Sequence, residues 1–424
     1  VQAGEGVAAS LNHFKKDRTF FYGWIVIALS FICLCISFGI RSAIGAFIAP
    51  WEEEFLAGRS QVTLVSVLCY ITFILFQPVI GRATDQLGAR FVLTASILLT
   101  GGGLLLSSLA TGFWQLIITY GLIASIGMVG GSPVTATAVV ARWFEKKQGA
   151  VLGLVLSGMS VGQLVMGPLS IFLIENYNWR FTLRVLGIAT LLLLPLCFFF
   201  IRSRPEDMGL QPYGAEGKKS GMEPGPAMQR ASAASHFSVF RNRLFWYLAI
   251  PYFVCGLTDV GFIGTHFIPY AEGRGFSAAL IAAAFSLIAA FNIGGTIGAG
   301  MLSDRFNRAR LLMFIYWMRA IIFLLLFTFL DNPAGLIIFA VIYGLTERAT
   351  IAPTSSLCAH HFKDLSVGMV FGYVSIGHHL GGTLGSYIPG FFYDLTGSYV
   401  ISLLIFIALL AGSGLIVSRV ADSR

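Results

Sequence analysis

Mostly apolar runs of about twenty residues recur twelve times along this chain and leave it very few ways to fold. A helix needs roughly 20 such residues to cross a bilayer, where only the helix itself can satisfy its backbone amides. The runs begin near Phe21, Ser60, Arg90, Gly112, Gly149, Phe181, Leu244, Ser277, Leu311, Pro333, Ser366 and Gly397, and the breaks between them carry Gly, Pro, Asn or charge. Composition agrees, with 56% of residues hydrophobic and 11% charged, and a mean hydropathy of +0.79. A water-soluble chain of 424 residues needs a far more polar surface. The expectation is an all-α polytopic membrane protein. Its first run is too long and too loosely flanked for a cleaved signal peptide, and no small-residue cleavage site follows it.

Lys and Arg set the expected orientation. One side receives Lys15, Lys16, Arg18, Arg82, Arg90, Arg142, Lys146, Lys147, Arg305, Arg308, Arg310, Lys363 and the C-terminal arginines, whereas the other keeps Arg59, Arg180, Arg184 and Arg274. Both termini are therefore expected in the cytoplasm, in an inner or plasma membrane. Topology accounts for the net charge of +8 without a nucleic-acid partner. The six cysteines lie in or beside apolar spans, without metal spacing or a disulfide framework, and read as packing residues. Trp51, Trp114 and Trp179, near helix ends, suit an interfacial belt.

Residues 203–243 turn polar and read as a solvated linker between an N-terminal half, 1–202, and a C-terminal half, 244–424. A shift of 219 residues lays one half on the other. It matches Gly45 with Gly264, Pro50 with Pro269, Gly81 with Gly300 and Asp85 with Asp304. In the fifth span, Gly149, Gly153, Gly158 and Gly162 fall on Gly368, Gly372, Gly377 and Gly381 of the eleventh, and Glu175 falls on Asp394. Such ladders let helix backbones approach closely, which suggests tight packing between the halves. Two six-helix halves related by a parallel repeat suit a transporter that rocks around a midplane site.

The loop "GRATDQLGARF" after the second span and its counterpart "GMLSDRFNRAR" after the eighth resemble the signature of the major facilitator superfamily. "FYGWIVI", "RWFEKKQGAVLGLVLSGMSVGQ" and "YDLTGSY" are similar to segments of its oxalate–formate antiporter group and the related monocarboxylate transporters. The resemblance covers nearly the whole chain and implies twelve transmembrane helices in two pseudo-symmetric halves. It also implies a cytoplasmic gate in which Asp85 and Asp304 latch the halves, with Arg90, Arg305 and Arg142 as partners. Read from the residues alone, these are solvated turn charges of little energetic weight.

Several charges stand inside apolar runs, where each costs a few kcal/mol and usually faces a cavity. Arg41 lies roughly 10 Å inside the outer end of the first span, at 1.5 Å per residue. Its stem can snorkel outward, or its guanidinium can bind a carboxylate through paired hydrogen bonds. In the monocarboxylate transporters a lysine at the matching place is implicated in substrate and proton binding. Relatives that carry lactate-like substrates place an acidic or amide residue and an arginine one turn apart in the eighth span. Here that pair reads Asn292 and Thr296, so the arginine is missing: either the binding mode is not lactate-like, or the cationic role falls to Arg41, or the substrate is larger or less charged. His378 falls where the oxalate–formate exchanger has a substrate-holding lysine, and its near-neutral titration suits coupling a proton to an anion. His379 points about 100° away and stays unassigned. Asp259 reads either as an ion pair with Arg319 or as a proton site. Glu347 and Arg348 are adjacent and face different ways. Glu347 reads as a proton carrier, because desolvation favours a neutral carboxyl. His266 reads as a gate residue at the outer end.

These features point to a secondary transporter of a small organic anion, a mono- or dicarboxylate, with proton symport or anion exchange. The alternative is proton-coupled efflux of a cationic or zwitterionic compound at Asp259 and Glu347, which the added cation Arg41 opposes. No phosphate-binding glycine loop with its lysine and no catalytic constellation occurs, so neither ATP-driven transport, an enzyme, nor a cofactor or metal is expected. The lipid bilayer and a proton or counter-anion are the expected partners, and the linker without heptads suits a monomer.

Overall fold

The computed structural model describes residues 21–146, 148–215, 237–328, 332–362 and 367–422. Its helices are α1 (Gly23–Phe55), α2 (Arg59–Leu87), α3 (Ala89–Ser108), α4 (Phe113–Trp143), α5 (Val151–Asn176), α6 (Trp179–Phe200), α7 (Arg243–Gly273), α8 (Ala278–Ser303), α9 (Arg308–Phe327), α10 (Pro333–Cys358) and α12 (Val400–Val417). Each of these is long and apolar enough to cross a bilayer. Together with α11 (Val367–Thr396) they make twelve. Their starts fall within a few residues of those expected. The linker begins by folding back, the Tyr213 N–H donating to the Trp143 carbonyl at 2.9 Å. Residues 216–236, together with Lys15, Lys16, Arg18, Lys147 and Lys363, lie outside the described residues.

The two sets of six helices pack alike. In the first, α1 runs against α5 and α3 against α6; in the second, α7 runs against α11 and α9 against α12. Between the sets, α2 meets α11 and α5 meets α8. The glycine ladder serves a different contact from the one expected. A Cβ at Gly162 would run into the Cys35 carbonyl of α1, and one at Gly381 into the Phe253 carbonyl of α7. Gly158 likewise faces Phe31 of α1. These rungs fasten α5 and α11 within their own sets, because the closest backbone approach is to the first helix of each set. Gly153 and Gly372 face open space, and the surroundings of Gly149 and Gly368 lie outside the described residues. Contact between the sets falls to other positions, including Gly167 against Phe285 and Gly390 against Ser60.

Helices α1, α4, α7 and α10 are irregular. α1 tightens into a 3-10 turn at Ala43–Phe47, and α7 loosens into a π turn at Leu257–His266. α4 breaks at Gly131 and Ser132, and α10 breaks between Glu347 and Ile351. These interruptions are related by the same internal repeat. Non-helical backbone at membrane depth survives only where protein or a polar cavity satisfies it. Polar side chains therefore collect at these breaks.

Two aromatic placements depart from expectation. Trp51 is 0% exposed and packs among Phe47, Tyr120 and Trp179, while Trp179 donates its indole N–H to Glu54 at 2.9 Å. Both belong to the core, which at these helix ends is deep enough to enclose large rings. Trp114, 68% exposed, has the placement of a belt residue.

Candidate functional site

Arg41 occupies the last helical turn of α1 before its 3-10 break, where helix carbonyls favour a cation. It does not snorkel outward: the residue is only 7% exposed. Its guanidinium carbon lies 4.4 Å from the Phe38 ring centre, 4.5 Å from Phe73 and 5.7 Å from Tyr70. Cation–π contacts are worth about 0.5–2 kcal/mol, which does not replace the charged hydrogen bonds that five N–H donors can make. Among the described residues, no acceptor or carboxylate pairs with Arg41. Arg348 also stands over Phe38, its guanidinium carbon 4.8 Å from the same ring centre and one N–H donating to Gln163 at 3.3 Å.

The second helix set holds a denser polar network. His378 Nε2 lies 3.8 Å from Asp259, and the His378 ring packs 4.8 Å from Tyr252. Asn292 donates its amide to Glu347 at 2.8 Å and accepts from the Thr296 hydroxyl at 3.1 Å. The expected helix 8 pair is thus committed to Glu347. The expected ion pair of Asp259 with Arg319 is absent among the described residues. Arg319 instead donates to the Thr346 carbonyl at 3.1 Å, to the Glu347 carbonyl, and to Cys255 Sγ at 2.9 Å. Breaking α10 after Glu347 leaves carbonyls without helical partners, and a buried guanidinium is the fork that satisfies them.

Cys255, first read as a packing residue, therefore belongs to this network. Its sulfur, the Asp259 carboxylate and His378 lie within 4.8 Å of one another, the nearest approach to a metal-ligand set among the described residues. Arg319 puts a fixed cation on the same sulfur, which opposes a second one there. All six cysteines are free; Cys69 accepts from the Ser125 hydroxyl at 2.8 Å, and Cys33 lies 3.5 Å from Cys197.

The end of the bundle away from the basic loops is shut. Arg59 makes a two-pronged pair with Glu52, both bonds 2.6 Å, and donates to the Tyr399 hydroxyl at 2.9 Å. Asp394 of α11 accepts the backbone N–H groups of Arg59 at 2.8 Å and Ser60 at 2.9 Å, and also the Ser60 hydroxyl. A carboxylate from one set thereby caps the first turn of α2 in the other. His266 reaches the Ser386 carbonyl at 2.7 Å and Tyr399 at 3.1 Å, and Tyr70 donates to the Val260 carbonyl at 2.9 Å. His266 thus lies at this end of the bundle, with both of its hydrogen-bond partners in the second set.

The basic end differs. Asp85 pairs with Arg142 at 3.0 Å, within the first set. Arg90 turns away from Asp85, donates to the Phe198 carbonyl at 2.8 Å and stacks on the Phe198 ring. Arg305 is exposed, and the side chain of Asp304 lies outside the described residues. Among the described residues, no ion pair joins the two sets here.

Sequence reasoning gave Arg59, Gln163 and Asp394 no role and left Arg348 without a partner. Arg348 had a local signal: it directly precedes the Ala-Thr-Ile-Ala-Pro stretch that interrupts α10.

Two pseudo-symmetric helix sets whose interrupted helices gather buried charges around their interface define a membrane transport fold. The chain belongs to the major facilitator superfamily, whose family model matches residues 30–330 and 295–423. Its relatives are transporters, not enzymes. Monocarboxylate transporter 13 of Bos taurus is 25% identical over 94% of this chain and 89% of its own length. The MFS transporter asaE of Aspergillus flavus is 24% identical over 93% of this chain and 86% of its own. A bacterial homolog of the human lysosomal transporter Spinster, solved in an inward-facing, unoccupied conformation, shares the fold with a TM-score of 0.70 at 16% identity, covering 95% of this chain and 94% of that one.

Proposed function

We propose that this protein carries a small organic anion, a mono- or dicarboxylate, by alternating access, with proton symport or anion exchange as the driving coupling. The buried, ring-lined and unpaired guanidinium of Arg41 carries this reading. A fixed cation at membrane depth is costly without an anion, so the transported anion is the partner it lacks. The names of relatives such as the Bos taurus transporter support a carboxylate. The acids Asp259 and Glu347 already have neighbours in His378 and Asn292, which weakens the reading as a cation exporter.

In this reading the basic end faces the cytoplasm and the present conformation is open to it, since among the described residues the charged hydrogen bonds of Asp394 and Arg59 join the sets at the other end and none joins them at the basic end. Asp85, Arg90, Arg142, Asp304 and Arg305 form the gate that closes the basic end in the opposite state. His378 with Asp259, and Glu347 with Asn292, are the proton-coupling groups, with Thr296 supporting Asn292.

Thermal stabilisation of the purified protein against mono- and dicarboxylates, zwitterions and organic cations tests the reading. A ligand at one hundred times its Kd adds about 2.7 kcal/mol to the folded state. The expected result is stabilisation by carboxylates that disappears in Arg41→Ala. Stabilisation by cations alone, unchanged in Arg41→Ala, overturns it.

A further inference from the structure

Arg41 and Arg348 approach one phenylalanine ring from opposite helix sets. Arg41 and Phe38 belong to α1, and Arg348 to the break in α10. Their guanidinium carbons lie 4.4 and 4.8 Å from the Phe38 centre. Arg41 has no hydrogen-bond acceptor among the described residues, and Arg348 has the single 3.3 Å bond to Gln163. Asp259 attracts Arg41, and Arg348 attracts Glu347, but among the described residues neither carboxylate forms an ion pair with these arginines. Glu347 accepts from Asn292, and Asp259 faces His378. Two like charges around one ring repel each other, and most of their donors are unused.

We propose that Arg348 is a second substrate cation and that, with Arg41, it selects a short dicarboxylate held across the two helix sets. This rests on the carboxylate reading above and narrows it. A monocarboxylate can neutralise one guanidinium in a two-pronged pair and leaves the other uncompensated. A dianion offers one carboxylate to each, and so removes the repulsion as well as supplying acceptors. Because one arginine comes from α1 and the other from α10, a dianion that engages both draws the sets together around itself. Substrate charge is thereby linked to closure of the basic end, where no ion pair joins the sets among the described residues.

Equilibrium binding of malonate, succinate, acetate and lactate to the full-length protein in detergent tests the proposal, using the wild type, Arg348→Gln and Arg348→Lys. Charged hydrogen bonds predict that Arg348→Gln weakens malonate or succinate by at least about tenfold while acetate and lactate change less than about threefold. Arg348→Lys keeps the charge and is expected to retain most of the preference, which separates lost charge from lost fold. Equal weakening of both classes, or of neither, overturns the assignment of Arg348 while leaving the carboxylate reading intact. Binding of none of the four acids by the wild type removes the carboxylate reading, and this proposal with it.

Discussion

Glu347 accepts from the Asn292 amide and is not fixed in a salt bridge among the described residues, which makes it a sharp probe of coupling. Glu347→Gln keeps the shape and still offers a carbonyl to Asn292 Nδ2, whose present bond is 2.8 Å. The expected outcome is a folded protein that exchanges anion down its gradient but no longer accumulates it against a pH gradient in proteoliposomes. Accumulation that persists would mean that Glu347 only positions Asn292. Arg41, Asp259, Glu347 and His378 were legible in the sequence for one reason: a titratable or charged group in an apolar run is costly and conspicuous. Their partners were not legible. Arg319 was expected to meet Asp259, yet it binds the carbonyls freed where α10 breaks. No local pattern announces that, because it depends on two helices brought together by distant chain.

Single glycines of the ladder show how much an element's packing rests on one absent methyl group. Gly162 and Gly381 lie where a Cβ would collide with backbone carbonyls, whereas one at Gly102 of α3 would meet nothing within 4 Å. Backbone has nowhere to retreat, so overpacking predicts a loss of about 1–3 kcal/mol or more for Gly162→Ala and Gly381→Ala. Gly102→Ala is expected to be neutral or to gain about 0.5–1 kcal/mol from reduced backbone freedom. Thermal unfolding of the three variants in one detergent checks the order, and equal stability in all three would refute the close approach. The ladder's register was readable from sequence through the internal repeat. Its partner was not, since a row of glycines says that a backbone comes near without saying which one.

The two ends of the molecule differ in how the helix sets meet, and that asymmetry decides which way the molecule opens. At the closed end Asp394 contributes most directly, because its carboxylate caps α2 from across the interface. Asp394→Asn removes the charge and one of the two carboxylate acceptors while keeping the size. Charged hydrogen bonds of this kind carry about 1.5–3 kcal/mol, enough to move a two-state equilibrium about tenfold or more toward the form open at that end. Thr63 reports it, since it is 0% exposed in the closed junction beside Gly390. Thr63→Cys should react slowly with a membrane-impermeant maleimide, and about tenfold faster when Asp394→Asn is added. The protein without Thr63→Cys gives the background from the native thiols. The rise should reverse when a carboxylate that favours the state open at the basic end is supplied, because a ligand shifts the equilibrium only by its differential affinity for the two states. Unchanged labelling would place the closure in the packing of Gly390 on Ser60 and in the Tyr70–Val260 hydrogen bond. The rocking halves would then be held at that end by shape and not by charge.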